Sequence, residues 1–374
     1  MIKSQKKWDI FCKIVDNFGD IGICWRLARQ LQCEHDLQIR LFVDDLASAA
    51  KILKGISNTA EQSFEDVTVM RWDDDTVFDF AADVVIESFA CGLPPAYIAK
   101  MHTEMVWVNV DYLSAESWLS EFHALNGRHQ ESNLTRHFYF PGFNENTGGL
   151  IREQDLITRR DAFQQTTVLQ KEFWQPLNID AKDSELNISL FSYPNAPIDA
   201  LLQSLVNGDH TVNVYLPLNS CLPTQLLGNR DLAVGDCLTV GALNLHILPF
   251  LSQDDYDRLL WACDINFVRG EDSWVRAIWA GKPFIWQPYW QEDNAHLVKL
   301  NAFLDTFYNA DEFKETVAKL HRDWSIEAFS IDVWQRYLNS LEEIKVQSLQ
   351  QSKGIIKQGA LVGKLVAFCA NLAK

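Results

Sequence analysis

The amino-acid sequence predicts an α/β protein with two parallel-sheet domains, and three observations support this prediction. The chain has 374 residues, a length at which two domains are the natural expectation. Its first half alternates short apolar runs with helix-like segments, the pattern of a parallel sheet covered by helices. A second series of this kind begins near residue 185. Two such domains in tandem create a cleft, and ligands bind at the carboxyl ends of the strands.

The predicted strands are short runs rich in Val, Ile, Leu, Phe and Trp. They are, in order, WDIFCKIV, LQIRLFVDD, VTVMRW, ADVVIESF and EMVWVNV, then LNISLFSYP, TVNVYLPL, LNLHILPF, CDINFVR and KPFIWQPY. We place the first domain at 1–150 and the second at 185–354. The region 151–184 begins with turn residues and becomes charged and helical, so we interpret it as a linker region. The amphipathic C-terminal helix, 355–374, is expected to join the first domain.

The composition restricts the possible functions. A net charge of −17 argues against nonspecific binding to nucleic acid, which requires clustered Lys and Arg. The N-terminus has no signal-peptide pattern, and no run approaches the roughly 20 apolar residues of a membrane span. The eight cysteines form no CxxC pair, and the acid clusters at 43–45 and 73–75 have no neighbouring histidine. We therefore expect a cytoplasmic protein without a metal site.

The segment KIVDNFGDIGICWRLARQL, residues 13–31, places two carboxylates between a strand and a helix. The helix is predicted from apolar residues that recur on one face. Asp16 and Asp20 are therefore expected on the turn at the carboxyl end of the first strand. Asp20 is either a cap of a helix that begins at Ile21 or a group that takes part in chemistry.

A second candidate site lies in residues 267–300. Gly270 is predicted to form a turn after the strand CDINFVR, and the helix that follows is predicted to end at Gly281. Ser273 or Asp272 could cap this helix. Alternatively, its free N–H groups could hold a phosphate or diphosphate.

In the second interpretation, Arg269 would offset the charge of that anion and Glu271 would reach a sugar hydroxyl. Upstream, Phe250, Gln253 and Tyr256 could bind a planar base, with a ring stacked on it and an amide at its edge. The alternative is a core Phe250 and a helix-capping Gln253. Tyr193, which follows a strand, is either a phosphate ligand or an aromatic residue of a turn.

These segments together resemble the EarP family, the protein-arginine rhamnosyltransferases of elongation factor P. The resemblance rests on DNFGDIGICWRLARQL, TGGLIRE, FSYPNAP, LPFLSQDDYDRLLWACDINFVRGEDSWVRAIWAGKPFIW and QEDNAHLVKLNAFLD, which occur in the order of the family. It implies a GT-B glycosyltransferase fold, in which two Rossmann-like domains face each other across a cleft. It also implies inverting transfer of L-rhamnose from dTDP-β-L-rhamnose to an arginine of elongation factor P, with no metal or other cofactor.

The resemblance also implies the site residues. Asp20 is the expected general base, and Asp16 and Glu271 are also required. The implied donor-binding positions are Asn17, Phe18, Gly19, Asp20, Phe191, Tyr193, Phe250, Gln253, Tyr256, Arg269, Gly270, Glu271, Asp272 and Ser273.

The chemistry of the acid pair fits an arginine acceptor. A guanidinium group stays protonated because its pKa lies above about 12, and its delocalised lone pairs make it a poor nucleophile. Two carboxylates can hold this group and remove a proton as its nitrogen attacks. Two alternatives remain open: a GT-B transferase with a small-molecule or glycan acceptor, and a non-catalytic nucleotide-sugar binder.

Overall fold

The computed structural model describes residues 6–16, 18–181, 185–217, 223, 231–308 and 311–373, without the side chains of 311 and 312. The chain divides into two compact units. Unit 1 comprises Met1–Gln154 and Ile355–Lys374, and unit 2 comprises Asp155–Gly354. None of the described helices combines the length and apolar composition needed to cross a lipid bilayer.

Unit 1 is a sheet of eight described strands with helices between them. The strands are β1 (Lys7–Cys12), β2 (Gln38–Val43), β3 (Glu61–Phe64), β4 (Val67–Arg71), β5 (Val84–Ser88), β6 (Val106–Val110), β7 (Asn126–Arg128) and β8 (Thr135–Tyr139). The helices are α1 (Gly19–His35), α2 (Leu46–Ile52), α3 (Pro95–Ile98), α4 (Leu119–Phe122) and the C-terminal α14 (Leu361–Leu372).

The strand order of this sheet is β3-β4-β2-β1-β5-β6-β8-β7. Only the two edge pairings, β3 with β4 and β7 with β8, are antiparallel. The chain builds outward from β1 in one direction and then crosses to β5, so the topological switch point lies between β1 and β5. Ligands of doubly wound sheets bind at this point, beyond the carboxyl ends of the strands.

Unit 2 contains a second, smaller sheet. Its strands are β9 (Leu186–Leu190), β10 (Val212–Pro217), β11 (Cys237–Val240), β12 (Leu243–Leu248), β13 (Ile265–Arg269) and β14 (Phe284–Gln287). Its helices are α5 (Leu156–Gln165), α6 (Thr167–Trp174), α7 (Ile198–Val206), α8 (Gln253–Ala262), α9 (Asp272–Ala280), α10 (Ala295–Phe307), α11 (Asp311–Ser325), α12 (Ile331–Asn339) and α13 (Leu341–Ile356), of which residues 341–354 belong to this unit. Short 3₁₀ turns occupy Gln175–Leu177 and Glu292–Asn294.

The second sheet has the order β11-β12-β10-β9-β13-β14, and only the β11–β12 pair is antiparallel. Its switch point lies between β9 and β13. Helices α5 and α6, which lie in the region interpreted as a linker, belong to unit 2. Phe163 of α5 contacts Phe173 of α6 and Trp261 of α8, with ring centroids 6.0 Å and 5.7 Å away. These apolar contacts fix both helices to the unit.

All ten predicted apolar runs contain a strand, whereas β3, β7, β8 and β11 were not predicted. Strands β5 and β6 are buried at every position, which explains their continuous apolar sequence. The edge strands β3, β7 and β11 alternate between exposed and partly exposed positions. Strands β3 and β7 are polar because of this exposure, so neither forms an apolar run, and β11 is only four residues long.

Candidate active site

The acid pair spans the loop after β1 and the first turn of α1, at the switch point of the first sheet. Helix α1 begins at Gly19, so Asp20 lies in its first turn. The Asp20 side chain is buried, with 1% of its surface exposed. Its Oδ2 atom accepts hydrogen bonds from the main-chain N–H groups of Val15, at 2.7 Å, and Asp16, at 2.8 Å. Its Oδ1 atom accepts one from the Tyr112 hydroxyl at 3.1 Å.

The interpretation of Asp20 as a helix cap is wrong. The residue at the N-cap position is Phe18, whose side chain makes no capping hydrogen bond. The Asp20 carboxylate instead turns back to the loop before the helix and binds two N–H groups that precede it in the chain. Asp20 therefore fixes the conformation of the segment that carries Asp16.

Further contacts hold this loop in place. The main-chain N–H of Ile14 donates to Oδ1 of Asp44, after β2, at 2.9 Å. A Cβ atom at Gly19 would lie 2.9 Å from Oδ2 of Asp16, so a larger residue would displace that carboxylate. The ring of Phe18 lies under the Lys51 ammonium, 5.9 Å from the ring centroid. Asn17, also predicted here, lies outside the described residues.

A buried thiol lies close to this site. Its hydrogen bond with Cys24, its burial and the negative charge of Asp20 raise the pKa of the Cys12 thiol well above its usual value. The Cys12 thiol therefore stays neutral and adds no further negative charge to this site.

The second group of predicted residues lies in unit 2, at the carboxyl ends of β9 and β13. The Arg269 guanidinium lies between two aromatic rings, 4.3 Å from the Phe191 centroid and 4.7 Å from that of Tyr193. Its Nη1 atom donates to the Ser192 carbonyl at 3.2 Å. These contacts hold a permanent positive charge at the switch point of the second sheet.

Arg269 is followed by the turn that starts α9. Gly270 adopts φ +62°, a left-handed conformation that disfavours residues with a Cβ atom. Its N–H donates to the Gln287 carbonyl at 3.1 Å, and its carbonyl accepts from the Trp286 indole at 2.7 Å. Gly281 ends the helix in the left-handed conformation at φ +65°, as predicted.

The predicted caps of α9 are wrong. The N-cap residue is Glu271, whose side chain makes no capping hydrogen bond. The Ser273 hydroxyl donates to the Arg269 carbonyl and accepts from the Arg269 N–H, so it closes the turn. Oδ2 of Asp272 accepts from the Gln253 side-chain amide at 3.2 Å. The predicted alternative role of Gln253 as a cap is also wrong, because Ser252 caps α8.

The remaining predicted residues lie near these groups. Oε2 of Glu271 pairs with the Lys299 ammonium of α10 at 3.7 Å. The Tyr256 ring contacts that of Phe191 edge-on, with centroids 5.8 Å apart, and burial raises the pKa of the Tyr256 hydroxyl above its usual value. Phe250 is half-buried and follows β12.

Three supporting residues were not predicted from the sequence. Tyr112 donates to Asp20, Lys299 pairs with Glu271, and the Gln287 side chain accepts from the Tyr193 N–H at 2.8 Å. Gln287 and Tyr112 each lie at or just beyond the carboxyl end of a predicted strand, a position that could have identified them.

No group of three His, Cys, Asp or Glu side chains in the described part of the chain is arranged to hold a metal ion. The seven cysteines in that part are all free thiols.

The two sheets and their strand-end sites define a glycosyltransferase of the GT-B class. A likeness to the spinosyn forosaminyltransferase SpnP supports this fold, with a TM-score of 0.52 at 10% identity over 99% of this chain and 100% of that one. Residues 8–370 match the model of the family described as "Elongation-Factor P (EF-P) rhamnosyltransferase EarP", so the chain belongs to the EarP family.

Two relatives agree with this assignment. A protein-arginine rhamnosyltransferase from Pseudomonas putida is 42% identical over 372 residues, which cover 97% of this chain and 98% of the relative. A solved structure described as the basis for EarP-mediated arginine glycosylation of translation elongation factor EF-P is 33% identical. It has a TM-score of 0.71 and covers 98% of this chain and 99% of its own.

Proposed function

We propose that this enzyme transfers L-rhamnose from dTDP-β-L-rhamnose to an arginine side chain of elongation factor P, with inversion at the anomeric carbon. The observation that carries this proposal is the acid pair at the carboxyl end of β1, in a chain whose relative is named a protein-arginine rhamnosyltransferase. A protein-arginine acceptor requires carboxylates that both bind a cation and accept a proton.

The residues of unit 2 provide the proposed donor site. The N-terminus of α9 and Arg269 supply positive charge for the diphosphate. The Tyr193 hydroxyl would donate to a phosphate oxygen and Glu271 would accept from a sugar hydroxyl. Phe191, Phe250 and Tyr256 would contact the thymine ring, with Gln253 at its edge. As the leaving diphosphate gains charge, these groups stabilise the transition state.

In the proposed reaction, one guanidinium nitrogen attacks the anomeric carbon of rhamnose. The bond from that carbon to the β-phosphate oxygen breaks, and dTDP leaves with the bonding electrons. The nitrogen loses one proton to Asp20 as the new bond forms. Asp16 would hold the guanidinium by a charge-assisted hydrogen bond. A single displacement of this kind inverts the anomeric carbon.

The activity is tested by incubating the purified chain with dTDP-rhamnose and elongation factor P. Mass spectrometry of the factor should show the added mass of one deoxyhexose on an arginine. Donor turnover with a glycan or small acceptor, and none with the factor, would favour a different transferase. Donor binding without transfer to any acceptor would indicate a nucleotide-sugar binder. Since elongation factor P serves translation, we also propose that the enzyme acts in the cytoplasm.

The role of Asp20 is tested with Asp20→Asn. The asparagine can keep the loop, because its amide oxygen can accept from Val15 and Asp16 while its amide nitrogen donates to Tyr112. It cannot accept the proton, so single-turnover transfer should fall roughly 10²–10⁴-fold. Donor affinity should change little. Normal transfer would exclude Asp20 as the base, and lost donor binding in a folded variant would recast it as a donor ligand.

Asp16→Asn provides the companion measurement. It should also slow transfer, because a neutral amide holds a guanidinium less strongly than a carboxylate. If both acids serve the same guanidinium, the double variant should be less impaired than the product of the two single effects. Multiplicative losses would show that Asp16 and Asp20 act independently.

A further inference from the structure

The Tyr112 hydroxyl donates to the oxygen of Asp20 that the loop main chain leaves available. A carboxylate has about four lone-pair directions, two on each oxygen. On Oδ2 of Asp20, the N–H groups of Val15 and Asp16 occupy two of them. On Oδ1, the Tyr112 hydroxyl occupies a third. Within the described part of the chain, these contacts leave one direction, and it belongs to Oδ1.

The position of Tyr112 is itself closely determined. Its ring stacks on Phe89, with centroids 4.3 Å apart and planes 13° apart. Its main-chain N–H donates to Oδ1 of Asp111 at 2.8 Å, and Oδ2 of Asp111 accepts from the Asn109 amide at 3.3 Å. The ring stacking and the main-chain hydrogen bond together fix the position of the Tyr112 hydroxyl.

The stacking partner has an unusual backbone. Phe89 and Ala90 are consecutive left-handed residues, at φ +58° and +52°, although neither is glycine. This conformation is held by hydrogen bonds from the Phe89 N–H to the Val110 carbonyl and from the Ala90 N–H to the Asn109 side chain, both 2.8 Å long. Strained backbone of this kind persists where the surrounding contacts impose it, and it concentrates at functional sites.

We propose that Tyr112 is a positioning residue for the rhamnosyl transfer: its hydroxyl holds Oδ1 of Asp20 in the orientation that accepts the proton. This inference rests on the proposed role of Asp20 as the base. The proton passes from the attacking nitrogen to Oδ1, and Tyr112 keeps its own proton throughout.

The test is Tyr112→Phe, which removes the hydroxyl and keeps the ring on Phe89. Single-turnover transfer should fall about tenfold or more, as expected for loss of a hydrogen bond to a charged group. Donor affinity should change little, because the proposed contacts with the diphosphate and the base come from unit 2. In the Asp20→Asn background the same substitution should have almost no further effect, since the acceptor of the proton is already absent.

A matched control is Tyr97→Phe. The Tyr97 hydroxyl of α3 also donates to a buried carboxylate, that of Asp9, within the same unit. Its removal should lower thermal stability and leave transfer unchanged. Transfer by both variants is measured at a temperature at which each is folded. A lower rate then reflects the loss of the hydroxyl and not unfolding of the protein.

Three results would overturn the inference. Normal transfer by Tyr112→Phe, beside an impaired Asp20→Asn, would exclude the positioning role and leave the base role intact. An equal loss in the wild-type and Asp20→Asn backgrounds would show that Tyr112 acts on the fold and not through Asp20. Normal transfer by Asp20→Asn would refute the base role, and the inference with it.

Discussion

Single residues in this enzyme combine a structural task with a proposed chemical one. Asp20 closes the loop after β1 with one carboxylate oxygen and offers the other to Tyr112. Gln253, a proposed donor ligand, is likewise held by a neighbouring side chain: its amide nitrogen donates to Oδ2 of Asp272 at 3.2 Å. A side chain held in this way loses little further freedom when a ligand binds, which favours affinity.

The proposed role of Gln253 in donor binding leads to a prediction. Gln253→Ala should weaken binding of dTDP-rhamnose by roughly 1–3 kcal/mol, because a buried polar group of the base would lose its partner. Titration calorimetry measures this change. Gln203→Ala, at an exposed position of α7, is the matched control and should leave the affinity unchanged. Equal affinities for both variants would remove Gln253 from the donor site.

At the scale of elements, the turn between β13 and α9 determines where the helix N-terminus lies. Gly270 forms hydrogen bonds with Gln287 and Trp286 at the end of β14, so the start of α9 is fixed to this neighbouring strand. The Ser273 hydroxyl ties the first turn of α9 to the main chain of Arg269. The positions of the positive end of α9 and of the Arg269 side chain therefore both depend on the short segment 269–273.

Substitution of Gly270 tests this dependence. Gly270→Ala should destabilise the fold by roughly 1–2 kcal/mol, because φ +62° brings a Cβ atom into steric conflict with the main chain. It should also weaken donor binding, because the start of α9 would shift. Calorimetric unfolding and donor titration measure the two effects.

The matched control is Gly363→Ala in α14, where a Cβ atom would meet nothing within 4 Å. Alanine in a helix is favoured over glycine by roughly 0.5–1 kcal/mol, so this variant should gain stability and bind the donor normally. If both substitutions changed stability in the same direction, the conformational explanation for Gly270 would be wrong.

At the scale of the whole molecule, buried titratable groups determine how stability depends on pH. His321 is fully buried in α11, and its Nδ1 atom lies 3.0 Å from the Val317 carbonyl. Burial lowers the pKa of His321 from 6.5 to about 4. The unfolded chain therefore binds this proton more tightly than the folded protein does. The stability contribution is complete above pH 6.5 and is lost as the pH falls towards 4.

The predicted dependence of the free energy of unfolding on pH is measurable. Between pH 6.5 and 4, the uptake of one proton on unfolding should lower the free energy of unfolding by about 1.4 kcal/mol per pH unit. His321→Gln should reduce the slope by that amount, whereas His210→Gln, at an exposed position, should not change it. Denaturant unfolding across this pH range measures the slopes. Equal slopes for wild type and His321→Gln would contradict the assignment.

The proposed donor site also predicts how the whole enzyme responds to chelation. Because the α9 N-terminus and Arg269 would meet the charge of the diphosphate, transfer should survive EDTA treatment. Transfer is measured before and after removal of metal ions by dialysis. Loss of activity on chelation, restored by Mg²⁺ or Mn²⁺, would indicate that transfer needs a metal ion and that the acid clusters at 43–45 and 73–75 are candidate metal sites.

The sequence alone determined the two parallel sheets and the main strand-end residues. Apolar runs and helical spacing are local properties, so the buried strands and the positions of Asp16, Asp20 and Arg269–Ser273 could be predicted. Polar edge strands such as β3 could not, because exposure on one side removes the apolar signal.

Only the tertiary structure decided how these residues are oriented. It turned Asp20 towards the preceding loop, brought Tyr112 to its carboxylate from 92 residues away, and paired Lys299 with Glu271. Such partners come from different strands and helices, and local spacing carries no information about them. The sheet order brings their ends together, and burial then requires each polar group to find a hydrogen-bond partner.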